Sequence, residues 1–159
     1  MSRAFTREED NENAAGALGE RPVSAHRNLV TARGLAMIEA ELAQLQEEMT
    51  NAQANNDRER VALISRDLRY WAARHASAEV SAPEAGSNVV RFGMVVALED
   101  EDGKPVRWRI VGEDEADPAQ GSISHVSPMA RALFGRKVGE LVSVNNREWE
   151  IIGMSVEDD

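Results

Sequence analysis

The sequence predicts an α+β protein: an N-terminal antiparallel coiled-coil hairpin of two helices, followed by a small antiparallel β domain with one short helix. Three observations carry this prediction. Apolar residues between positions 31 and 78 recur in alternating steps of three and four. A polar Asn-Asn-Asp break divides that pattern into two arms of similar length. Beyond residue 88 the period falls to two, in β-branched runs separated by turn residues. The 159 residues are enough for one ordinary domain, or one small domain with an appendage.

Residues 1–27 are expected to be a disordered acidic tail. Glu8, Glu9, Asp10 and Glu12 lie among Asn, Ala and Gly without apolar periodicity. The hairpin is expected over 28–80. Leu35, Ile38, Leu42, Leu45, Met49 and Ala52 form its first seam, a heptad a/d pattern that Thr31 can cap. Asn55-Asn56-Asp57 ends that helix, because Asn and Asp tolerate turn geometry, and Asp57 can cap the next one. The second helix is expected from Arg58 to Glu79. Its seam is Val61, Ile64, Leu68, Trp71, His75 and Ala78, with His75 and Trp71 as interior residues near the hairpin base. Two seams joined by so short a turn must pack antiparallel.

Residues 81–87 read as a linker, rich in Ser, Pro, Ala and Gly. The second domain then spans 88–159. Strands are expected over 89–98 and 105–111 around an Asp102-Gly103 turn. An acidic loop follows over 113–120, and a short strand over 122–125. Ser127 caps a helix that has Pro128 in its first turn and ends at Gly135. A last hairpin turns at Asn145-Asn146-Arg147.

Composition excludes several functions. The absence of cysteine removes thiol nucleophiles, disulfides and Cys-ligated zinc. His26, His75 and His125 are too dispersed in sequence to suggest a metal cage. The net charge of −10 argues against holding duplex DNA by phosphate neutralisation, and residues 81–159 carry −7 of it, with 8 basic and 15 acidic groups. Without a membrane-spanning stretch or a signal-peptide core, a cytoplasmic location and no membrane partner are expected. The run Glu113-Asp114-Glu115-Asp117 lacks the spacing of a calcium loop and reads as a solvated loop. Arg66, Asp67 and Arg69 read as a solvated helical face with local ion pairs.

The motifs resemble those of a known family. Residues 108–117, Trp-Arg-Ile-Val-Gly-Glu-Asp-Glu-Ala-Asp, are similar to the "RIVGxDEAD" block of the GreA/GreB transcript-cleavage factors. Ile123-Ser124 and the run from Ser127 to Gly135 resemble that family's "IS…SPxARxLxG" block. Gly139-Glu140-Leu141-Val142 and Glu148-Trp149-Glu150-Ile151 look like its closing strands, and Thr31-Ala32-Arg33-Gly34-Leu35 its "T-x-x-G" helix start. The resemblance implies an FKBP-like second domain. It also implies a monomeric partner of RNA polymerase that docks at the rim of the secondary channel and inserts the hairpin. Acidic tip residues would there help hold a second Mg²⁺ in the polymerase active site, so that the polymerase cuts backtracked RNA. On this view the chain is not itself an enzyme and has no cofactor of its own.

Carried over residue by residue, the tip acids fall on Asp57 and Glu59, which would act in catalysis and on the metal only within the polymerase complex. The family's "G-D-x-x-E-N" tip has its acids three apart, whereas here they are two apart and Arg60 replaces the Asn. A register anchored instead on residues 70–74 puts the acidic positions on Leu63 and Arg66; the first register keeps the tip at the turn. Arg58 and Arg60 could contact phosphates, including the RNA 3′ end. Ser127, Pro128, Met129, Arg131 and Phe134 are the expected docking residues. Asp57 also reads as a plain helix cap, and Glu59 as a first-turn acid favoured by the helix dipole. Two alternatives stay open: a non-cleaving channel regulator of the same shape, and an interaction module resembling the nucleoside diphosphate kinase regulators. Prolyl isomerase activity is rejected, because seven aromatic residues do not make an evident proline pocket.

Overall fold

The computed structural model describes residues 19–156; most of the acidic tail expected over 1–27 lies outside the described residues. The described residues form two compact units, one of 19–25 with 36–77 and a second of 26–35 with 78–156.

The first unit is the helical hairpin. Helix α1 spans Ala32–Ala54 and α2 spans Arg58–Ser77. Burial follows the heptad: Ile38, Leu45 and Ala52, seven apart, are buried on α1, and Ile64 on α2. Leu45, Ala52 and Ile64 pack together, with Met49, Val61, Leu68 and Trp71 around them. The seam departs from expectation near the end of α2. His75 is exposed, 3.8 Å from Glu39 Oε2, and Arg74 is buried instead. A step of three from Trp71 is as helical as a step of four, and here it places the long Arg74 stem inward.

The second unit begins with a pairing that periodicity did not announce. Strand β1, Leu29–Val30, runs parallel to β2, Glu79–Val80, just beyond the end of α2. Glu79 is therefore a strand residue rather than the last of the helix. Arg27 bonds the Glu79 carboxylate at 2.9 Å and, chiefly through that hydrogen bond, holds it below its ordinary range.

The five-stranded sheet has the order β5-β4-β3-β7-β6. Its strands are β3 Val95–Asp100, β4 Pro105–Val111, β5 Ser122–Ser124, β6 Leu141–Val144 and β7 Arg147–Ser155. All pairs are antiparallel except β4–β5, which is parallel. Helix α3, Pro128–Leu133, buries Ala130 and Leu133 in one cluster with Val96, Leu98, Ile110 and Ile151. Burial does not alternate strictly along these strands, since Val95 beside Val96 and Val111 beside Ile110 are buried as well.

Strand β3 starts at Val95, later than the apolar run from Val89 suggests. Gly93 has φ of +87°, and a Cβ there would lie 2.9 Å from Pro83 Cδ, so the chain turns before the strand begins. The β3–β4 turn is held by Asp100, whose Oδ1 accepts from Lys104 N at 2.8 Å and Asp102 N at 2.9 Å. The Lys104 amide is the largest of the influences that lower the Asp100 pKa, and Arg147 adds to it. Asn145 and Asn146, with φ of +53° and +64°, make the β6–β7 turn in the left-handed conformation that Asn accepts.

Leu45→Ala removes a buried side chain from a thin cluster. It is expected to lower hairpin stability by about 2–4 kcal/mol, whereas the same change at Leu63, 45 % exposed, shifts it little. Urea unfolding followed by helical circular dichroism checks the contrast. Asp100→Asn is expected to flatten the acid limb of stability. The lowered carboxyl contributes above its unfolded pKa, and that contribution is lost as pH falls through the folded one.

Candidate functional site

The hairpin tip is a three-residue connection. Asp57 N donates to Ala52 O at 2.9 Å and Asn56 N to Gln53 O at 3.1 Å, the paired bonds that close a helix around a left-handed residue. That residue is Asn56, with φ of +52°. Asp57 at once begins α2: its Oδ1 accepts from Arg60 N at 3.2 Å, and its carbonyl from Val61 N at 3.0 Å. The sequence-derived cap is therefore present.

Asp57, Arg58, Glu59 and Arg60 are all exposed. Residues two apart on a helix do not share a face, so Asp57 and Glu59 are set to different sides of the first turn. One Asp57 oxygen is engaged by the cap; the other has no partner among the described residues. No group of three or more acids or histidines suited to a metal occurs among the described residues. The tip can thus offer carboxylate oxygens to a cation held mainly by other ligands, but cannot enclose one.

A second site is one the sequence did not mark as such. Thr31 Oγ1 accepts from Gly34 N at 3.0 Å and caps α1. Thr31 is itself gripped by Glu115, from the loop after β4. Glu115 Oε2 accepts from Thr31 N at 2.9 Å and from Gly112 N at 3.0 Å, and Oε1 accepts from the Thr31 hydroxyl. The glycines are dictated by this carboxylate. A Cβ on Gly34 would lie 2.1 Å from Glu115 Cδ, and one on Gly112 would lie 2.5 Å from Leu29 O and 2.9 Å from Glu115 Oε2. Glu115 is thus no solvated acid. Two motifs 80 residues apart, T-x-x-G and V-G-x-x-E, are halves of one clamp. The signal that could have revealed it was the pair of glycines, each next to a polar group needing a partner.

The third site is α3. Ser127 Oγ accepts from Ala130 N at 3.2 Å, as its capping position predicts. Of the residues expected to present a docking face, Pro128 and Arg131 are exposed and Ser127 is half-buried. Met129 and Phe134, expected to be exposed, instead pack partly against the sheet core. Arg131 Nη2 lies 3.5 Å from His26 Nε2.

Comparisons with known proteins cover much of the chain. The family described as "Transcription elongation factor, GreA/GreB, C-term" matches residues 85–155. The transcription elongation factor GreA of Alkalilimnicola ehrlichii is 41 % identical over 109 residues, covering 64 % of this chain and 69 % of its own length. That of Desulfovibrio desulfuricans is 35 % identical over 150 residues, covering 79 % and 92 %. This chain belongs to the GreA/GreB family of transcription elongation factors. A solved structure of the transcription factor Gfh1 is 22 % identical, covers 82 % of this chain and 99 % of its own, and has a TM-score of 0.41. The family match takes in β3 to β7 and α3, and with them the Gly112 and Glu115 half of the clamp. No helix among the described residues is long and apolar enough to cross a membrane.

The clamp makes a specific prediction. Glu115→Ala leaves the Thr31 and Gly112 amides without their charged acceptor and is expected to cost about 1–3 kcal/mol. Gly34→Ala alone drives a methyl into the carboxylate. The double variant should cost less than the sum, because removing Glu115 makes room for that methyl. Chemical denaturation of the four proteins measures the cycle; strict additivity would contradict the clamp.

Proposed function

We propose that this chain is an RNA polymerase-binding elongation factor that acts through the polymerase and is not itself an enzyme. On this reading the sheet domain docks at the rim of the secondary channel through the exposed residues of α3. The hairpin enters the channel and stimulates cleavage of backtracked RNA. The observation that carries this reading is the tip: a tight, capped connection whose acids and arginines are all exposed at the end of paired helices of 23 and 20 residues. At 1.5 Å per residue such arms extend roughly 30 Å. Membership of the family supports the partner class.

In this role Asp57 and Glu59 lend carboxylate oxygens, and the polymerase supplies the remaining ligands. A Mg²⁺ held there would supply the Lewis acidity that makes water a nucleophile toward the RNA phosphodiester. Arg58 and Arg60 are placed to meet phosphate oxygens of the RNA 3′ end. The expected consequences are separable. Asp57→Asn keeps an acceptor for the Arg60 amide and so preserves the cap, but removes the charge. It should abolish most stimulated cleavage while leaving polymerase affinity within about twofold, as expected for a group used only in the reacting complex. Release of 3′ RNA fragments from stalled, backtracked complexes in Mg²⁺ measures this, with polymerase binding followed in parallel.

A second reading, occupation of the channel without cleavage, is favoured by the same tip. One Asp57 oxygen is engaged in the cap, Glu59 is offset from it, and Arg58 and Arg60 partly neutralise the local field. If wild-type protein binds polymerase yet releases no more fragments than polymerase alone, this reading replaces the first.

A further inference from the structure

Residues 19–25 have no helix or strand, yet they are not loose. The Arg21 guanidinium carbon lies 3.9 Å from the Tyr70 ring centroid and 5.8 Å from that of Trp71. Tyr70 and Trp71 meet edge to face at 5.1 Å, so the two rings form one platform. Arg21 Nη1 also reaches Asp67 Oδ1 at 3.3 Å. The preceding residue, Glu20, sets both carboxylate oxygens on Arg69 Nε, at 2.6 and 2.8 Å. Two consecutive residues of opposite sign thus meet two helix residues of opposite sign. The order is reversed, 20 on 69 and 21 on 67, so the segment runs antiparallel to α2. Such a match specifies direction and register, which a nonspecific acidic tail would not do.

The grip is specific but weak. The four charged side chains keep between 32 % and 61 % exposure, and exposed ion pairs contribute little and are screened by salt. Asp67 lies ten residues beyond Asp57 on the helix, roughly 15 Å from the tip. The segment therefore covers the middle of the arm, on the part that must enter a channel if the hairpin is a probe.

We propose that residues 19–25 are a releasable strap that masks the Asp67–Trp71 face of α2 in cis and must leave it before the hairpin engages RNA polymerase. The proposal rests on the polymerase reading above. A strap closed for about 80–90 % of the time lowers apparent affinity about five- to tenfold, because only the open fraction is competent.

The test uses the full chain. Glu20→Arg with Arg21→Glu opposes both contacts at constant net charge, so changes in long-range attraction do not confuse the result. Tyr70 is the single tyrosine of the chain, so its ring resonances report the strap without ambiguity. They should move in the charge-swapped protein toward the positions seen for wild type at high salt. Adding Asp67→Arg with Arg69→Glu re-forms both ion pairs with their signs exchanged and should bring back the weaker, wild-type-like polymerase binding at low salt. The swapped protein should bind polymerase about five- to tenfold more tightly than wild type at low salt, with the gap closing as salt rises. Unchanged Tyr70 resonances, or equal polymerase affinity for the two proteins, would overturn the strap. Binding by neither protein would overturn the polymerase reading and the strap with it.

Discussion

The carboxylate of Glu115 is the contact on which the second unit depends. One of its oxygens accepts from both the Thr31 and Gly112 amides and the other from the Thr31 hydroxyl, and so it fixes the first turn of α1 against the loop that leaves β4. A helix start needs acceptors for its unpaired amides, and an anion is the strongest one a side chain can offer. Here the cap residue and the anion are split between two distant segments. The parallel pair β1–β2 then ties the chain just before α1 to the chain just after α2. Within the second unit, the chain before α1 and the chain after α2 are thereby held by backbone bonds and one partly buried carboxylate.

The tip works under the opposite constraint. It must close two helices in three residues and still leave its side chains in water. Asn56 accepts the left-handed conformation, and Asp57 serves both the end of one helix and the start of the next. The same economy limits the chemistry. A carboxylate that caps a helix shares its charge with backbone amides, and its neighbours Arg58 and Arg60 oppose a cation. Whatever metal chemistry the tip supports must therefore be completed by another molecule.

Much of the architecture was legible in the sequence because its signals are local. Heptad steps, the Asn-Asn-Asp turn, Asp102-Gly103, the Ser127-Pro128 cap and the Asn145-Asn146 turn each act within a few residues, and each stands where the pattern placed it. The failures are of two kinds. At the end of α2 the three- and four-residue steps are equally helical, so sequence could not choose Arg74 over His75. Elsewhere the deciding partner is remote: Pro83 against Gly93, β1 beside β2, Glu115 under Gly34. The loop 113–117 reads as solvated because nothing within it reveals that one of its acids has a partner some 80 residues earlier. Of the candidate sites, the acids at the tip came from the family resemblance while their own pattern read only as a helix cap and a first-turn acid, the half-buried state of Met129 and Phe134 was not visible, and the strap residues Glu20 and Arg21 lay within a stretch whose composition suggests no structure.

The proposed role requires that the tip reach the reacting end of the RNA inside the polymerase. A photoreactive residue placed at Arg58, next to both acids but outside the cap, tests it most directly. In stalled, backtracked complexes crosslinks are expected to the RNA 3′ end and to the polymerase catalytic centre, and none to either from the same residue placed at Arg107 on β4. Crosslinks from position 58 confined to the outer surface of the polymerase would contradict it.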